Sequence, residues 1–269
     1  MVLPQGFRDS PHLFRQALAR DLKDLNLEEG QLLQYVDDLL FCYPSKNWAL
    51  QHAVQTLNLL ADRGYKVSRA KVQLRKEVHY LGLILTLGEH KLFRERVQTI
   101  ERLPPPSNRK QLRTFLGLTG YCRLWILGYG LLAKPLYEVL KGRADRDTLI
   151  WEPEQEKTFH ELKLKLLQAL TLGLPKMDRP FQLHTTEKNG IALGMLTQTL
   201  GPTKRPVAYL SKRLDSVALG WPSCLQAVAV TTLLVEEASK LTMAQPLEVY
   251  FSHQITSLLE LKGPHTQAT

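Results

Sequence analysis

The feature of this sequence that most restricts its fold is a pair of adjacent aspartates inside an apolar run. The run is GQLLQYVDDLLFCYP at residues 30–44, and Asp37 and Asp38 divide it into two β-prone halves. Neighbouring side chains of a regular strand point to opposite faces, so two adjacent carboxylates converge on one site only where the chain turns. The sequence therefore predicts a β-hairpin with both aspartates at its tip and with strands apolar enough to be buried.

The aspartate pair admits two interpretations. Adjacent carboxylates repel each other, and a divalent cation would relieve that repulsion at a partly buried tip. Carboxylate oxygens suit Mg²⁺, and paired ions of this kind support phosphoryl transfer. The alternative is an ordinary exposed turn, because Asp is a favoured turn residue. The pair by itself does not decide between a metal site and a turn.

Hydrophobic periodicity divides the chain into an α+β part, a helical part and an α/β part. In the first part we expect a helix that Ser10 caps and Gly30 follows, then the hairpin, then a helix closed by Gly64. The segments KVQL, VHYLGLIL and HKLF predict three short strands. The remaining predicted helices occupy residues 94–102, 109–126, 131–142, 152–170 and 222–241, and the remaining strands occupy 181–187, 191–198, 205–214 and 247–251.

Composition and charge limit the class of protein. The chain has 269 residues, of which 44% are hydrophobic and 23% charged, as is typical of globular proteins. The net charge is +9, and about +5 of it falls in residues 89–174. A basic middle third indicates a polyanionic partner, although a merely solubilising surface would have the same composition.

Cysteine, histidine and hydropathy patterns bear on the compartment. The three cysteines are widely spaced and form no C-x-x-C pair, which predicts reduced and buried thiols. The eight histidines lack zinc-ligand spacing. No apolar run reaches membrane-spanning length and the N-terminus lacks a signal-peptide pattern. We therefore expect an intracellular protein, cytoplasmic or nuclear, that is not secreted.

The predicted helix at residues 109–126 carries two distinct faces. Its apolar stripe consists of Leu112, Phe115, Leu116, Cys122 and Ile126. Another face carries Arg113, Gly117 and Tyr121, which are four residues apart and stack along the helix. A small residue between a cation and an aromatic suits a helix in the minor groove of a duplex, where nearby cations neutralise phosphates. The alternative is a solvated basic helix with a packing glycine. The nearby cations are Arg109, Lys110 and Arg123.

Several motifs follow one another in an order that resembles a known family. They are LPQGF-x2-SP-x-LF at 3–14, LLQYVDDLL at 32–40, YLG at 80–82, QLRTFLGLTGYCR at 111–123, RPVAYLSKRLD at 205–215, GWPSCL at 220–225 and KLTMAQPL at 240–247. Together they resemble the polymerase core of retroviral Pol reverse transcriptases, most closely the gammaretroviral type including endogenous copies. The resemblance covers essentially the whole chain.

The resemblance implies a fold and a division into domains. The fold class is α+β: a partial right-hand polymerase followed by a ribonuclease H-like α/β connection. Residues 1–88 would form the C-terminal part of the palm, residues 89–174 the helical thumb, and residues 175–269 the connection. Thr186 stands in LHTTEKNG where relatives often carry an acid, so we expect the connection to be non-catalytic.

The resemblance also implies roles for individual residues. Asp37 and Asp38 would be catalytic ligands of Mg²⁺ or Mn²⁺, with two ions in the complete enzyme. Tyr80, Leu81 and Gly82 would form the primer grip, the hairpin turn that holds the primer strand. For YLG, the alternative to a primer grip is a core strand followed by a turn. Two further alternatives concern residues implied to bind nucleotide: Pro4 to Gly6 could form an ordinary turn, and Lys66 and the nearby Lys71 could be solvated surface lysines. Residues implied to bind nucleotide are Gln5, Gly6, Tyr35, Val36 and Lys66; those implied to bind nucleic acid are Arg109, Lys110, Arg113, Gly117, Tyr121 and Arg123.

Three hypotheses about function follow. The first is a fragment of an RNA-directed DNA polymerase whose partners are an RNA–DNA or DNA–DNA template–primer duplex and deoxynucleoside triphosphates. In the family a third carboxylate and the fingers precede LPQGF, so we expect the chain alone to be inactive and to need an N-terminal fingers and palm segment. The second is a non-catalytic nucleic-acid-binding or interaction protein derived from an endogenous retrovirus. The third is a remnant reading frame that does not fold stably.

Overall fold

The computed structural model describes residues 6–25, 27, 30–141 and 148–251. These residues fall into two compact units, the first ending at Tyr80 and the second beginning at Leu81. The first unit is built from two helices, a β-hairpin and a short third strand. Its elements are α1 (Ser10–Asp21), β1 (Gln31–Tyr35), β2 (Asp38–Cys42), α2 (Lys46–Asp62) and β3 (Val78–Tyr80).

The core of the first unit is small. Leu18, Leu22 and Leu60 are buried, and Leu32 and Leu39 pack against them from one face of the hairpin. Both ends of helix α2 are determined by neighbouring residues, a capping serine before it and a glycine after it. The Ser45 hydroxyl accepts a hydrogen bond from the backbone N–H of Trp48 at 3.2 Å, and Gly64 follows the helix at a φ of +82°. The prediction that Gly64 closes this helix is confirmed.

Three predicted elements of the first unit differ from the structure. Helix α1 ends at Asp21 and continues only as a 3-10 turn over Leu22–Asp24, and Asp9 rather than Ser10 occupies its N-cap position. The segment KVQL forms no strand, because Arg69–Lys71 is a 3-10 turn and the residues around it are exposed. The predicted strand at residues 78–85 is broken by a turn at residues 81–82.

The second unit begins with a short antiparallel sheet and four helices around an apolar core. The buried stripe of the predicted helix at 109–126 is confirmed: Leu112, Phe115, Leu116, Cys122 and Ile126 all belong to this core. Asn108 caps α4 by accepting a hydrogen bond from the N–H of Gln111 at 2.9 Å. The elements are β4 (Leu83–Thr86), β5 (Glu89–Leu92), α3 (Arg94–Glu101), α4 (Arg109–Tyr121), α5 (Tyr129–Val139), α6 (Pro153–Leu167) and β6 (Leu172–Gly173).

A four-stranded sheet with one covering helix completes the second unit. Strand order is β10-β7-β8-β9, antiparallel except for the parallel pair of β10 and β7. The register shifts at Leu196/Thr197, where Pro206 lies opposite and cannot donate a ladder hydrogen bond. The predicted α+β fold class is confirmed. The elements are β7 (Phe181–Lys188), β8 (Ile191–Leu200), β9 (Thr203–Arg213), α7 (Ser223–Thr242) and β10 (Leu247–Phe251).

Direct contacts join α5, β5 and β6 to strand β9 within the second unit. The N–H of Gly130 donates to Ser211 Oγ at 2.8 Å, and Arg205 Nη2 pairs with Glu89 Oε1 at 2.5 Å. Gly173 lies against the Arg205 side chain, where a Cβ would come within 2.9 Å of Arg205 Cδ. These contacts hold β5, β6 and β9 together.

Candidate nucleic-acid interface and carboxylate pair

The predicted hairpin places the aspartates at its tip. Strands β1 and β2 pair with Tyr35 opposite Asp38, so Val36 and Asp37 form the turn and Asp38 begins β2. Val36 has a φ of +53°, a conformation that a β-branched residue rarely adopts. Such local strain persists only where neighbours hold it in place.

Gln34 supplies that support. Its Nε2 donates to the carbonyl of Val36 at 3.0 Å and to the carbonyl of Arg15 on α1 at 3.2 Å. One amide group therefore fastens the strained turn and ties the hairpin to α1. The turn is held by the chain's own side chains.

The expectation that both strands are buried is wrong. Asp37 and Asp38 are exposed, and Leu33 and Tyr35 are 45% and 57% exposed. The reason is the size of the sheet. Within the described residues β1 and β2 form a sheet of two strands, and only one of its faces contributes to the leucine core. The tip faces solvent, and Leu33 and Tyr35 on the opposite face of the hairpin remain largely exposed.

The carboxylate pair fits a divalent cation in donor type but does not enclose one. Asp37 and Asp38 offer hard oxygen ligands of the kind that Mg²⁺ prefers. Within the part of the chain that the structure describes, no group of three or more His, Cys, Asp and Glu side chains could hold a metal ion. Any ion at this tip would therefore complete its coordination with water, phosphate oxygens or groups from elsewhere.

Tyr80 lies close to the same face of the hairpin as Asp38. Burial raises the pKa of Tyr80 above its ordinary value, and the charges of Asp38 and Cys42 and the nearby Tyr35 raise that pKa further. The register puts those three groups on one face, since Tyr35 is opposite Asp38 and Cys42 lies four residues beyond it. The structure therefore brings a predicted primer-grip residue to the carboxylate side.

The residues predicted to bind nucleotide are not drawn into one site. Gly6 is exposed with a φ of +89°, and Lys66 and Lys71 are exposed. Gln5 lies outside the described residues. For Gly6, an ordinary turn remains an adequate explanation, as a solvated surface does for the lysines. Tyr35 and Val36 lie beside the aspartates through the register of the hairpin.

Helix α4 presents the predicted basic face to solvent. Lys110, Arg113, Gly117 and Tyr121 are exposed, while the opposite side of the helix is buried in the core. Gly117 has ample room, because a Cβ built there would meet no atom of the described ranges within 4 Å. Internal packing therefore does not require a glycine in the middle of this helix, where it costs about 1 kcal/mol relative to alanine. The packing-glycine alternative is contradicted.

Arg109 is a correction to the predicted set. It opens α4 but is only 7% exposed, and among the described residues its buried Nε and Nη1 have no hydrogen-bond partner. A buried guanidinium cannot meet a phosphate on the surface of the helix. Arg123 follows α4 in a 3-10 turn and is exposed. A second correction concerns the cysteines, since Cys122 is buried but Cys42 and Cys224 are exposed.

Sequence reasoning missed Arg96, which contacts both Tyr121 and the predicted primer grip. The Arg96 guanidinium lies 4.1 Å from the centroid of the Tyr121 ring, and the Tyr121 hydroxyl donates to the carbonyl of Leu81 at 2.6 Å. Arg96 is on α3, 25 residues before Tyr121, and no periodicity connects the two. Only the folded arrangement reveals this cluster.

Comparison with known proteins gives two family matches in different parts of the chain. Residues 1–85 match the family described as reverse transcriptase (RNA-dependent DNA polymerase). Residues 151–249 match the RNase H-like domain found in reverse transcriptase. The Gag-Pol polyprotein of avian reticuloendotheliosis virus is 50% identical over 260 residues, and the Pol polyprotein of feline endogenous virus ECE1 is 47% identical over 260 residues.

The chain is a relative of retroviral Pol reverse transcriptases. Each of these alignments covers 96% of the chain but only 22% of the avian protein and 25% of the feline one. The chain thus spans about a quarter of the curated Pol proteins it matches. The predicted domain boundaries at 88/89 and 174/175 remain predictions.

Solved structures share the fold of this Pol relative. A foamy viral protease-reverse transcriptase in complex with dsDNA aligns with a TM-score of 0.84 at 24% identity, over 99% of this chain and 46% of that one. The same kind of protein in complex with an RNA/DNA hybrid aligns with a TM-score of 0.81 at 24% identity, over 99% and 36%. None of the helices in the described ranges has the length and apolar character needed to cross a bilayer.

Proposed function

We propose that this chain is the duplex-holding part of a retroviral-type reverse transcriptase and that it contributes two carboxylates to the polymerase site. Helix α4 would lie along an RNA–DNA or DNA–DNA template–primer duplex, with Lys110, Arg113 and Arg123 near phosphates. Foamy viral protease-reverse transcriptases of the same fold were solved in complex with dsDNA and with an RNA/DNA hybrid. The domain division expected from the sequence would then apply: palm over 1–88, thumb over 89–174 and connection over 175–269.

The observation that carries this proposal is Gly117. The residue weakens its helix and faces solvent, and no contact within the described part of the chain excludes a methyl group there. Two exposed cations, Lys110 and Arg113, precede it along the helix. A glycine in that position is explained by an external surface that approaches the helix backbone closely, as the sugar edges of a minor groove do.

Substitution of Gly117 should have opposite effects on the stability of the fold and on its affinity for nucleic acid. We expect Gly117→Ala to raise the free energy of unfolding by about 0.5–1 kcal/mol, because alanine favours the helix. The same change should weaken binding of an RNA/DNA hybrid by about tenfold, measured by fluorescence anisotropy. The matched control is Gly120→Ala, whose Cβ would face Tyr129 Oη at an ordinary 3.5 Å inside the fold. Unaltered affinity in Gly117→Ala would contradict close approach at this position.

The salt dependence of binding tests the basic face in the same assay. Removal of one cation that pairs with a phosphate should reduce the slope of log affinity against log salt by about 1. We expect Lys110→Gln to reduce this slope by about 1. Lys157→Gln removes another exposed cation, on α6 and outside the proposed basic face, and should leave the slope unaltered.

The role proposed for the carboxylates needs a longer Pol polypeptide. Asp37 and Asp38 would hold Mg²⁺ or Mn²⁺, which supplies Lewis-acid stabilisation of phosphoryl oxygens. The nucleotide pocket for deoxynucleoside triphosphates would involve Gln5, Gly6, Tyr35, Val36 and Lys66. An N-terminal fingers and palm segment would complete both sites, with two ions bound in the complete enzyme.

Primer extension tests this role. In a fusion of this chain to the preceding Pol segment of a relative, we expect Asp37→Asn to lower extension by at least about a thousandfold, since the metal site loses a charged ligand. Asp62→Asn, an exposed acid on α2, serves as the control. Retained synthesis in Asp37→Asn would contradict the assignment.

A second candidate function is non-catalytic nucleic-acid binding by a chain of endogenous retroviral origin. It is favoured by the contrast between an intact exposed basic helix and a tip with two exposed carboxylates. It predicts duplex binding that survives Asp37→Asn and does not need Mg²⁺, with no extension in the fusion. The two candidates therefore give opposite results in the extension assay.

A further inference from the structure

The turn that precedes β4 has a backbone conformation that needs support. Leu81 has a φ of +49° and Gly82 a φ of +76°. Glycine adopts such a φ freely, but leucine does so at a cost of about 1–3 kcal/mol. Leu81 is also 39% exposed, so burial of its own side chain contributes little toward holding the turn.

Tyr121 is one of the groups that hold this turn. Its hydroxyl donates to the carbonyl of Leu81 at 2.6 Å, across 40 residues of sequence. The bond ties the last residue of α4 to the strained residue of the turn. The hydroxyl of Tyr121 is therefore used inside the fold, although the sequence predicts a contact between this residue and nucleic acid.

Arg96 fills the space between Tyr121 and the turn. Its guanidinium lies over the Tyr121 ring, 4.1 Å from the centroid, a geometry that favours a cation–π contact. On its other side it reaches Gly82, where an added Cβ would lie 2.6 Å from Arg96 Nη2. A glycine is therefore needed at position 82 for two reasons: its backbone has a positive φ, and a Cβ would collide with the Arg96 guanidinium. We call Tyr121, Arg96, Leu81 and Gly82 the turn clamp.

One member of the turn clamp, Tyr121, lies on the same helix as the basic face. Lys110, Arg113 and Gly117 precede Tyr121 along the exposed side of α4. A duplex lying on that side would therefore be held by a rigid element whose final residue also fixes the turn. The distance between the duplex contacts and the turn is then set by α4, with no flexible segment between them.

We propose that Tyr121 and Arg96 are positioning residues, which hold the Leu81–Gly82 turn in place for the 3′ end of a primer strand while α4 holds the duplex behind it. The inference rests on the proposed function of duplex binding. It changes the role of Tyr121 from a nucleic-acid contact to an internal support, and it gives a role to Arg96. The turn clamp therefore contributes to binding of a duplex with a recessed primer end, and it contributes little to binding of a blunt duplex.

Hydrogen exchange of the whole chain tests the structural half of the proposal. Tyr121→Phe removes only the hydroxyl and keeps the ring under Arg96. We expect backbone exchange across residues 80–86 to accelerate about tenfold, with little change in α6 and β8. Tyr250→Phe removes another exposed hydroxyl, which donates to Glu248 in β10, and should not alter exchange at residues 80–86. Unaltered exchange in Tyr121→Phe would overturn the clamp.

The role of the turn clamp in binding the primer end is tested with two nucleic-acid ligands. Affinity is measured for an RNA/DNA hybrid with a recessed primer 3′ end and for a blunt hybrid of equal duplex length. We expect Tyr121→Phe to lower the ratio of the two affinities several-fold, and Gly82→Ala to lower it in the same way. Lys110→Gln should weaken both complexes in proportion and preserve the ratio.

The outcomes are distinguishable. Faster exchange at the turn with a preserved affinity ratio would overturn the positioning role, because the turn would then be held without serving the primer end. A wild-type chain that binds neither hybrid would overturn the proposed function itself. The exchange measurement would still decide whether the clamp holds the turn, since it needs no ligand.

Discussion

At the scale of single residues, glycines and charges act through neighbours that are distant in sequence. The sequence predicts that Gly30 follows a long helix, but its position is explained by Tyr43. A Cβ at Gly30 would collide with the Tyr43 ring, which stacks on His52 with centroids 4.7 Å apart. Glycine there permits an aromatic stack between the hairpin and α2, and its role as a helix stop is secondary.

Glu237 on α7 allows a prediction about pH. Hydrogen bonds from Lys212 at 2.8 Å and Lys240 at 2.6 Å lower the pKa of Glu237 from 4.5 to about 2. Because the folded-state pKa lies below the unfolded one, the stabilisation is complete above about pH 4.5 and is lost as the pH falls toward about 2. We expect Glu237→Gln to lower the free energy of unfolding by about 1 kcal/mol at pH 7, since both lysines are partly exposed and screened.

Urea unfolding at pH 7, 5, 4 and 3 measures this effect. The difference between Glu237→Gln and the wild type should shrink below pH 4.5. The adjacent exposed Glu236→Gln is the control. A difference that stays constant with pH would show that the lysines contribute through packing and not through the charge of Glu237.

At the scale of elements, the β1–β2 hairpin has one face that packs and one that does not. Leu32 and Leu39 contact the leucine core, whereas Leu33 and Tyr35 on the other face are largely exposed. Within the described residues the hairpin forms its own two-stranded sheet, so both strands also have unpaired edges there. Exposed apolar strands of this kind favour association with other chains.

We expect the chain to associate in a concentration-dependent manner through this face. Leu33→Lys should shift the equilibrium toward monomer by about tenfold or more without loss of stability, because the side chain is already 45% exposed. Sedimentation velocity over a range of concentrations measures the shift. Leu32→Lys, on the packed face, should instead destabilise the fold by about 2 kcal/mol or more. A wild type that is monomeric at every concentration would contradict this prediction.

At the scale of the whole molecule, the two units differ in the size of their cores. The first unit has a cluster of three buried leucines. The second has two clusters, one among its helices and one between α7 and the sheet, that are each several times larger. Because apolar burial is the main stabilising contribution to a fold, the units should differ in stability.

We expect the first unit to open before the second. Hydrogen exchange in low concentrations of urea should give α1 and α2 opening free energies at least about 2 kcal/mol below those of α4, α6 and β8. Limited proteolysis should first cut within residues 66–77, every one of which is exposed. Identical opening free energies throughout the chain would show a single cooperative unit and contradict this expectation.

Local patterns were sufficient for much of the architecture. The apolar stripe of α4 repeats with the helical period, so its burial could be predicted from five positions, all of which lie in the core. The hairpin followed from the direction of neighbouring side chains in a strand, and strands β7, β8 and β9 followed from their apolar runs. The order of the motifs predicted the relationship to retroviral Pol proteins, which the 50% identical relative supports.

The sequence by itself determined most of the helices, the β1–β2 hairpin, strands β7 to β9 and which face of α4 is apolar, because these properties depend on residues within one or two turns. Tertiary structure alone decided that Arg109 is buried, that the hairpin is open on one face, and that Tyr121 and Arg96 hold Leu81 and Gly82. Those outcomes depend on which distant elements pack together, and the packing of distant elements leaves no period in the sequence.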